Sequence, residues 1–285
     1  MTPDPFTLSH WYAIGRSADF AVPSSRALRL LSQSLTAVVS DAGLTITDDA
    51  SGRTLPTQTR YGHVWTSLSL APQLLYDMPE FEEEGRRLIT AGAVGVRCSG
   101  LRVVENFLDM AHFPFVHTDI LGVEDHAEVE RYEVSMEAEG DEIWATKCQF
   151  FQPMAAVAAS GGQLTEYKYR VAHPYSTILY KTCPIDEEVW DLVGLFIQPT
   201  EEDECLVHSF VLVFDTDNSD TVLLHFQQNI FLQDRMILEN QVPPKLPLDP
   251  RWEMPTRADA SSIAYRRWLK SHGLVWGTAR LEEAA

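Results

Sequence analysis

The sequence is poor in the features that mark secreted, disulfide-bonded or membrane-spanning proteins. Its four cysteines are scattered over 285 residues and none forms a Cys-x-x-Cys pair, which disfavours a disulfide framework. No apolar run approaches the roughly 20 residues needed to cross a bilayer, and the first residues lack the pattern of a signal peptide. We expect a cytoplasmic protein with reduced, mostly buried thiols.

Basic residues are also scarce: the chain has 22 Lys and Arg but 41 Asp and Glu, which gives a formal net charge of −19. Such a surface repels phosphate backbones, so nucleic acid is a poor candidate partner. It would suit docking to a basic protein surface, although many soluble enzymes are equally acidic. The 45% hydrophobic content is ample for the core of one large domain or two modest ones.

Strand-like segments dominate most of the chain. Short ones occur early, at 11–14, 27–31, 35–39 and 62–68, and an acidic connector at 72–85 precedes another strand-like stretch at 93–98. Six alternating segments follow, at 128–136, 143–151, 165–171, 177–181, 192–198 and 205–214. Turn signals between the six predict one antiparallel sheet.

Helical spacing replaces the alternation in three places. Val104, Leu108 and Ala111 predict a helix that Pro114 ends or kinks around Phe113. The segment 221–241 predicts a helix of about five turns. A last short helix is predicted at 258–269, and the whole pattern favours an α+β fold.

Two histidines and two aspartates suggest a metal site. His112 and His117 are five positions apart and do not share a face of a regular helix, but Pro114 between them would let the chain turn back. Asp109 lies three residues before His112, where its carboxylate can accept a hydrogen bond from the imidazole and orient it. Asp234 lies among apolar neighbours, where a carboxylate needs a cation.

Two histidines and one carboxylate form the facial triad of non-haem Fe(II) oxygenases, although zinc takes the same ligands in hydrolases. Several alternatives stay open. A lone helical histidine is more often a hydrogen-bonded core residue, and Asp234 could pair with Arg235 or lie on a surface face. The polar segment before the long helix offers other aspartates, Asp215, Asp217 and Asp220.

Other histidines and cysteines favour structural interpretations. Cys205 and His208 are three apart in a predicted strand, so their side chains point to opposite faces. Cys98, His63 and His126 are interpreted as packing or surface residues.

The pattern Asn106-x-x-Asp109-x-x-His112-x4-His117 resembles the iron motif of the Rieske non-haem iron oxygenases. The segment 226–241 is similar to the helix that supplies the carboxylate ligand in this family, in the branch that contains vanillate O-demethylase. Segments 10–15 and 61–68 resemble the edges of the N-terminal Rieske domain. The resemblance implies a degenerate Rieske-like β domain at 1–75 and, at 76–285, a helix-grip (START-like) catalytic domain with an antiparallel sheet and a C-terminal helix.

The middle of the Rieske domain departs from the family pattern. A Rieske [2Fe–2S] centre needs two cysteines and two histidines, and neither residue type occurs between Val39 and Tyr61. We therefore expect no [2Fe–2S] cluster in this chain. Electrons would come from NAD(P)H through a separate reductase that carries a Rieske cluster, as in a subgroup of cluster-lacking oxygenase subunits that demethylate methylxanthines.

The resemblance also implies the roles of single residues. His112, His117 and Asp234 would ligate a mononuclear Fe(II), Asp109 would couple this iron to the partner's cluster, and Asn106 would lie beside it. Phe107 and Asn229 would contact substrate, and aromatic walls are expected from Phe107, Phe151 and Phe231.

The function implied is that of an O2-dependent monooxygenase component, which removes an N-methyl group from a methylxanthine-like heterocycle. Alternatives are O-demethylation or ring hydroxylation of another aromatic, a non-catalytic binding or partner subunit, and a zinc hydrolase. A homo- or hetero-oligomer, trimer-like as in the family, is a further expectation.

Overall fold

The computed structural model of the protein describes residues 2–137, 141–154, 162–183, 188–249 and 252–280. Its α-helices in this part of the chain are α1 (Pro5–Leu8), α2 (Gly100–Leu108), α3 (Phe113–Val116), α4 (Asp220–Leu238) and α5 (Ala260–Ser271). None of the helices in the described ranges is both long and apolar enough to span a membrane.

A seven-stranded antiparallel sheet forms the centre of the molecule. Its strands are β7 (Arg87–Val96), β8 (Glu133–Glu137), β9 (Glu142–Gln152), β10 (Gln163–His173), β11 (Ser176–Thr182), β12 (Trp190–Glu201) and β13 (Glu204–Val213). Their order is β7-β13-β12-β11-β10-β9-β8. The predicted α+β fold with an antiparallel sheet is thus confirmed, and the stretch expected to start at 93 is a seventh strand of that sheet.

The N-terminal part forms two three-stranded antiparallel sheets. Its strands are β1 (Tyr12–Arg16), β2 (Ser24–Leu30), β3 (Gln33–Ser40), β4 (Gly43–Asp48), β5 (Thr57–Arg60) and β6 (His63–Thr66), in the orders β1-β6-β5 and β2-β3-β4. Strands β4 and β5 were not predicted. Strand β5 is polar throughout, and in β4 the alternation is limited to Leu44 and Ile46 between threonines.

The turn between β2 and β3 joins this part to the central sheet. Leu31 and Ser32 have φ angles of 49° and 62°, as in the left-handed turns that match the twist of a hairpin. Their N–H groups donate to the carbonyl oxygens of Pro199 and Thr200 at 2.8 and 2.9 Å. The hairpin therefore continues the hydrogen bonding at the end of β12.

One hydrophobic core runs through both parts of the chain. It includes Leu30 and Leu35 of the N-terminal strands, Val104 of α2, Tyr167 of β10 and Phe231 of α4. Helix α4 packs along β7 and against α2. The division at residues 75 and 76 stays a prediction.

Some predicted boundaries were wrong. The strand expected at 128–136 begins only at Glu133, and residues 129–132 form no strand. Val129 and Tyr132 are buried there as part of the core, so their apolar character reflects tertiary packing. The long helix and the last helix were predicted to within three residues of their observed ends.

Candidate metal centre

Helix α2 carries the first half of the candidate site. The Ser99 side chain caps the helix by accepting a hydrogen bond from the N–H of Leu101. Gly100 allows close packing on the sheet, because a Cβ atom there would lie 2.7 Å from Cγ2 of Ile197. Leu101, Val104 and the other apolar residues of one helix face are buried against the sheet. This packing fixes the orientation of the helix and so the position of its C-terminal end.

The predicted continuation of this helix to Phe113 was wrong, because α2 ends at Leu108. Asp109 has an extended backbone, and its Oδ1 accepts a hydrogen bond from the N–H of Ala111 at 2.7 Å. This local turn competes with helical hydrogen bonding. Pro114 lies instead in the first turn of α3, where its missing N–H costs nothing.

The single turn of α3 brings the two histidines together. His112 directly precedes this helix and His117 directly follows it, and their ring centroids are 5.0 Å apart. The chain after the turn packs closely, since a Cβ atom at Gly122 would lie 2.7 Å from the backbone nitrogen of Pro114. A larger residue at 122 would therefore displace the turn that holds both imidazoles.

Helix α4 supplies the carboxylate. Oδ1 of Asp234 lies 3.3 Å from Nε2 of His112 and 3.0 Å from Nε2 of His117. One ligand atom from each of the three residues lies within 4.8 Å of the others, and no other group of three metal-binding side chains converges in the described ranges. All three side chains are largely buried.

Each imidazole is oriented by a hydrogen bond at its other nitrogen. Nδ1 of His112 lies 3.1 Å from Oδ2 of Asp109, and Nδ1 of His117 lies 2.7 Å from Oε1 of Gln233. A proton on each Nδ1 leaves the Nε2 lone pair free for a metal. The contact of Asp109 agrees with the predicted one, although it does not arise from a shared helical face. Gln233 was missed, because a glutamine beside an aspartate carries no distinctive spacing.

The electrostatics of the site favour a cation. Burial alone would lower the pKa of His112, but the carboxylates of Asp109 and Asp234 raise it to about 9. Burial would raise the pKa of Asp234, but the two histidines lower it. Oδ1 of Asp234 is buried without a hydrogen bond in the described chain, since neither imidazole contact has hydrogen-bond geometry. Two Nε2 atoms and an unpartnered carboxylate oxygen fit a divalent metal.

The competing aspartates have other partners. Asp215 accepts hydrogen bonds from the backbone N–H groups of Asp217 and Asn218, and Asp220 pairs with Arg87. Arg235 pairs with Glu239 at 3.1 Å rather than with Asp234. Of the aspartates considered as ligands, the structure therefore brings only Asp234 to the two histidines.

A depression at the surface lies on one side of the centre, and we call it the outer depression. Asn106, Asp109 and His112 line it, together with Arg102, Glu105, Glu253 and Arg266. The Asp109 side chain is 27% exposed. Asp109 thus connects the candidate metal ligand His112 to the protein surface.

The charged residues of the outer depression form a paired network. Arg102 contacts Glu105 at 3.0 Å and Glu253 at 2.8 Å, and Arg266 contacts the same two carboxylates. The network joins α2, α5 and the segment around Glu253. The sequence did not predict this cluster, because its four charged residues follow no apolar periodicity.

A second, mostly apolar cavity with several aromatic rings lies between α4 and the sheet, and we call it the inner cavity. His112, His117 and Asp234 contribute to its lining, and the sheet and helices add Phe107, Gln152, Tyr167, Tyr169, Lys181 and Phe231. Asn106 lines both the inner cavity and the outer depression. The predicted positions of Phe107 and Phe231 agree with this cavity.

Two residues expected near substrate lie elsewhere. Asn229 is exposed on α4 and does not line the inner cavity, whereas Gln227 does. Phe151 was wrongly expected in the aromatic wall; its ring packs on exposed His126, with centroids 4.7 Å apart. Side chains alternate between the two faces of β9, so Gln152, and not Phe151, faces the inner cavity.

The remaining histidines and cysteines have structural settings. His63 is buried, and its ring contacts Phe196 edge to face. Nε2 of His208 lies 3.1 Å from Oε1 of Gln198. All four cysteines are buried and none of them forms a disulfide; Cys98 lies next to the start of α2.

The sequence profile of one protein family matches more than half of the chain. The vanillate O-demethylase oxygenase C-terminal domain matches residues 96–273. This range contains His112, His117 and Asp234, as well as Asp109 and Gln233. The resemblance identified from the histidine motif is thereby confirmed.

Two relatives from Pseudomonas are similar over much of the chain. The probable methylxanthine N7-demethylase NdmC of Pseudomonas sp. (strain TJI-51) is 45% identical over 275 residues, covering 96% of this chain and 98% of that protein. The methylxanthine N1-demethylase NdmA of Pseudomonas putida is 24% identical over 230 residues, covering 75% of this chain and 59% of that protein.

Two solved structures share the fold. NdmA of Pseudomonas putida CBB5 with caffeine superposes with a TM-score of 0.77 at 16% identity, covering 93% of this chain and 90% of that chain. Dicamba monooxygenase bound to 3,6-dichlorosalicylic acid superposes with a TM-score of 0.73 at 15% identity, covering 93% of this chain and 97% of that chain. At such identities the likeness concerns the architecture alone.

Proposed function

The chain belongs to the vanillate O-demethylase oxygenase family, a branch of the Rieske non-haem iron oxygenases, and we propose that it is the oxygenase component of a multicomponent N-demethylase. Its substrate would be a methylxanthine-like heterocycle. The observation that carries the proposal is the convergence of His112, His117 and Asp234 at one end of an aromatic cavity. The 45% identity to a probable methylxanthine N7-demethylase supports the substrate class.

The three side chains would hold a mononuclear Fe(II), which supplies dioxygen activation while leaving coordination positions open. Asp109 and Gln233 would keep both Nε2 atoms directed at this ion through the Nδ1 hydrogen bonds. Phe107, Phe231 and the sheet side chains would exclude water and place a flat ring beside it.

The reaction balances with one dioxygen molecule, two electrons and two protons. One oxygen atom enters a C–H bond of the N-methyl group, and the other leaves as water. The hydroxymethyl product then breaks its C–N bond, which gives the free N–H and formaldehyde.

Both electrons would come from a separate reductase with a Rieske cluster, and ultimately from NAD(P)H. The outer depression supports this route, because partly exposed Asp109 contacts the Nδ1 atom of His112 there. Asn106 lines the same depression and the inner cavity, beside both proposed electron entry and substrate.

The test combines iron-loaded protein, a reductase that carries a Rieske cluster, NADH, dioxygen and 7-methylxanthine. We expect formaldehyde release that stops without dioxygen or reductase. No formaldehyde from a panel of N-methyl and O-methyl aromatics would contradict the proposal. A zinc hydrolase would act without dioxygen and reductant, and a non-catalytic partner subunit would be isolated without stoichiometric metal.

A further inference from the structure

The inner cavity is lined by several buried polar atoms that make no hydrogen bond within the described residues. Besides Oδ1 of Asp234, they are Oε1 of Gln152 and the hydroxyls of Tyr167 and Tyr169. Gln152 is 2% exposed and Tyr169 is 1% exposed, and both line the inner cavity. Buried polar atoms in native proteins are almost always hydrogen-bonded, so several unpartnered ones in one cavity suggest that a ligand completes them.

The sheet places these side chains on the cavity that the metal centre shares. Contacts between rings connect the two ends: Phe113 lies 6.1 Å from His117 and 6.4 Å from Tyr167, and Tyr167 lies 6.3 Å from Tyr169. Phe107 meets Tyr169 edge to face at 6.1 Å. A flat ring bound among these aromatic side chains would reach the polar atoms while one substituent remains near the metal centre.

The charge of the cavity distinguishes between ring types. Away from the metal centre, Lys181 is the basic side chain among the described lining residues, and it lies directly opposite Asp191 in the pairing of β11 with β12. The Asp191 carboxylate balances the Lys181 charge. At this end of the cavity, away from the metal centre, a neutral ring therefore fits better than an aromatic carboxylate does.

We propose that Gln152 and Tyr169 form the polar edge of this cavity, where they hydrogen-bond separate polar groups of a neutral oxo-heterocycle. The Gln152 side chain offers both an acceptor and a donor, and the Tyr169 hydroxyl can donate to a ring carbonyl. The proposal rests on the proposed N-demethylase function, and it narrows the substrate to heterocycles that carry both a ring carbonyl group and an N–H.

The test measures the affinity of iron-loaded protein for 7-methylxanthine by calorimetry without dioxygen. Tyr169→Phe and Gln152→Leu should each weaken binding roughly 3- to 10-fold, the value of a hydrogen bond to a ligand. The matched control is Tyr180→Phe, which removes another buried hydroxyl of this sheet outside the inner cavity. We expect unchanged affinity in this control and weaker binding of 4-methoxybenzoate to the wild type.

A second readout separates ligand recognition from a structural role. The ligand-free Tyr169→Phe protein should have an unfolding temperature equal to or above that of the wild type, because the hydroxyl has no partner to lose. A clear decrease in that temperature would overturn the polar edge. Unchanged affinity in both cavity variants, or tighter binding of 4-methoxybenzoate than of 7-methylxanthine, would overturn it as well.

Formaldehyde release distinguishes this inference from the proposed function. If both variants bind more weakly but the wild type releases no formaldehyde, the polar edge stands and N-demethylation fails. If formaldehyde is released while both variants bind as the wild type does, N-demethylation stands and the polar edge fails.

Discussion

The candidate metal centre separates two regions that differ in their buried polar groups. In the outer depression, the guanidinium groups of Arg102 and Arg266 are paired with the carboxylates of Glu105 and Glu253, although Nε of Arg102 and Oε1 of Gln241 make no hydrogen bond in the described chain. In the inner cavity, polar atoms of Gln152 and Tyr169 are buried without a hydrogen bond in the described chain. His112 lines both regions.

The difference indicates which groups serve the fold and which serve a ligand. A buried ion pair with both partners present holds its elements in one arrangement, and loss of either partner leaves a costly unpaired charge. A buried amide or hydroxyl without a partner reduces the stability of the ligand-free protein, and this cost is removed only when a ligand forms the missing hydrogen bond. The ion-pair network of the outer depression thus has the character of a structural wall, and the unpartnered amide and hydroxyl groups of the inner cavity have that of a binding site.

The largest expected effect comes from a residue that both regions share. His112→Ala removes one of three proposed ligands, so we expect almost no bound iron and a loss of formaldehyde release far beyond the ~100-fold typical of a supporting residue. Metal analysis and the formaldehyde assay measure both effects. His126→Ala, at an exposed histidine, is the control and should retain iron. Stoichiometric iron in His112→Ala would remove this histidine from the ligand set.

The next effect separates the two sides of the centre. Asp109→Asn should keep iron, because Nε2 of His112 is still available, but should lower turnover more than ~10-fold by weakening the contact that orients His112 at the outer depression. The comparison variant is Gln233→Leu, which removes the support of His117 at Nδ1.

For Gln233→Leu we expect ~10-fold weaker iron binding with normal turnover per bound iron. Iron titration and single-turnover reduction distinguish the two variants. Normal turnover in Asp109→Asn would refute its role in electron entry, and identical behaviour of both variants would assign Asp109 to orientation of the imidazole alone.

A stability measurement tests the outer depression directly. Glu105→Gln removes a buried carboxylate that pairs with both Arg102 and Arg266, so the free energy of unfolding should fall by about 3–5 kcal/mol. The control is Arg257→Ala, which breaks an exposed pair with Glu128 and should change stability by less than ~1 kcal/mol. Urea denaturation of both proteins gives the values. Equal, small effects would show that the paired network does not stabilise this wall.

Much of the fold followed from the sequence because alternation and helical spacing are local signals. The six long segments from 128 onward became strands of the central sheet, and the apolar pattern of α4 marked its whole length. Strand β5 gave no such signal because it is polar throughout, and the alternation in β4 is limited to Leu44 and Ile46. Pairing with β3 and β6 specifies these two strands. Tertiary contacts, not intrinsic preference, decide such strands.

The site was predictable in its ligands and less so in its surroundings. The spacing of Asp109, His112 and His117 and the position of Asp234 in an apolar helix pointed to residues that the structure brings together. The turn that replaced the end of α2 was missed, because the Asp109 carboxylate competes with the helix in a way that periodicity does not reveal. Gln152, Tyr169 and Gln233 were missed because only strand register and helix packing bring them to the site.

The smallest expected effect has the opposite sign, and it compares two buried glutamines of the same sheet. Gln152→Leu removes an unpartnered Oε1 atom, so the ligand-free protein should gain up to about 1 kcal/mol in unfolding free energy. In Gln198, Oε1 contacts Nε2 of His208 and Nε2 donates to the Arg29 carbonyl. Gln198→Leu should therefore lose about 1–3 kcal/mol. Denaturation of both variants at equal iron loading decides the matter, because an equal loss in the two would mean that Gln152 supports the fold and the inner cavity keeps no polar atoms for a ligand.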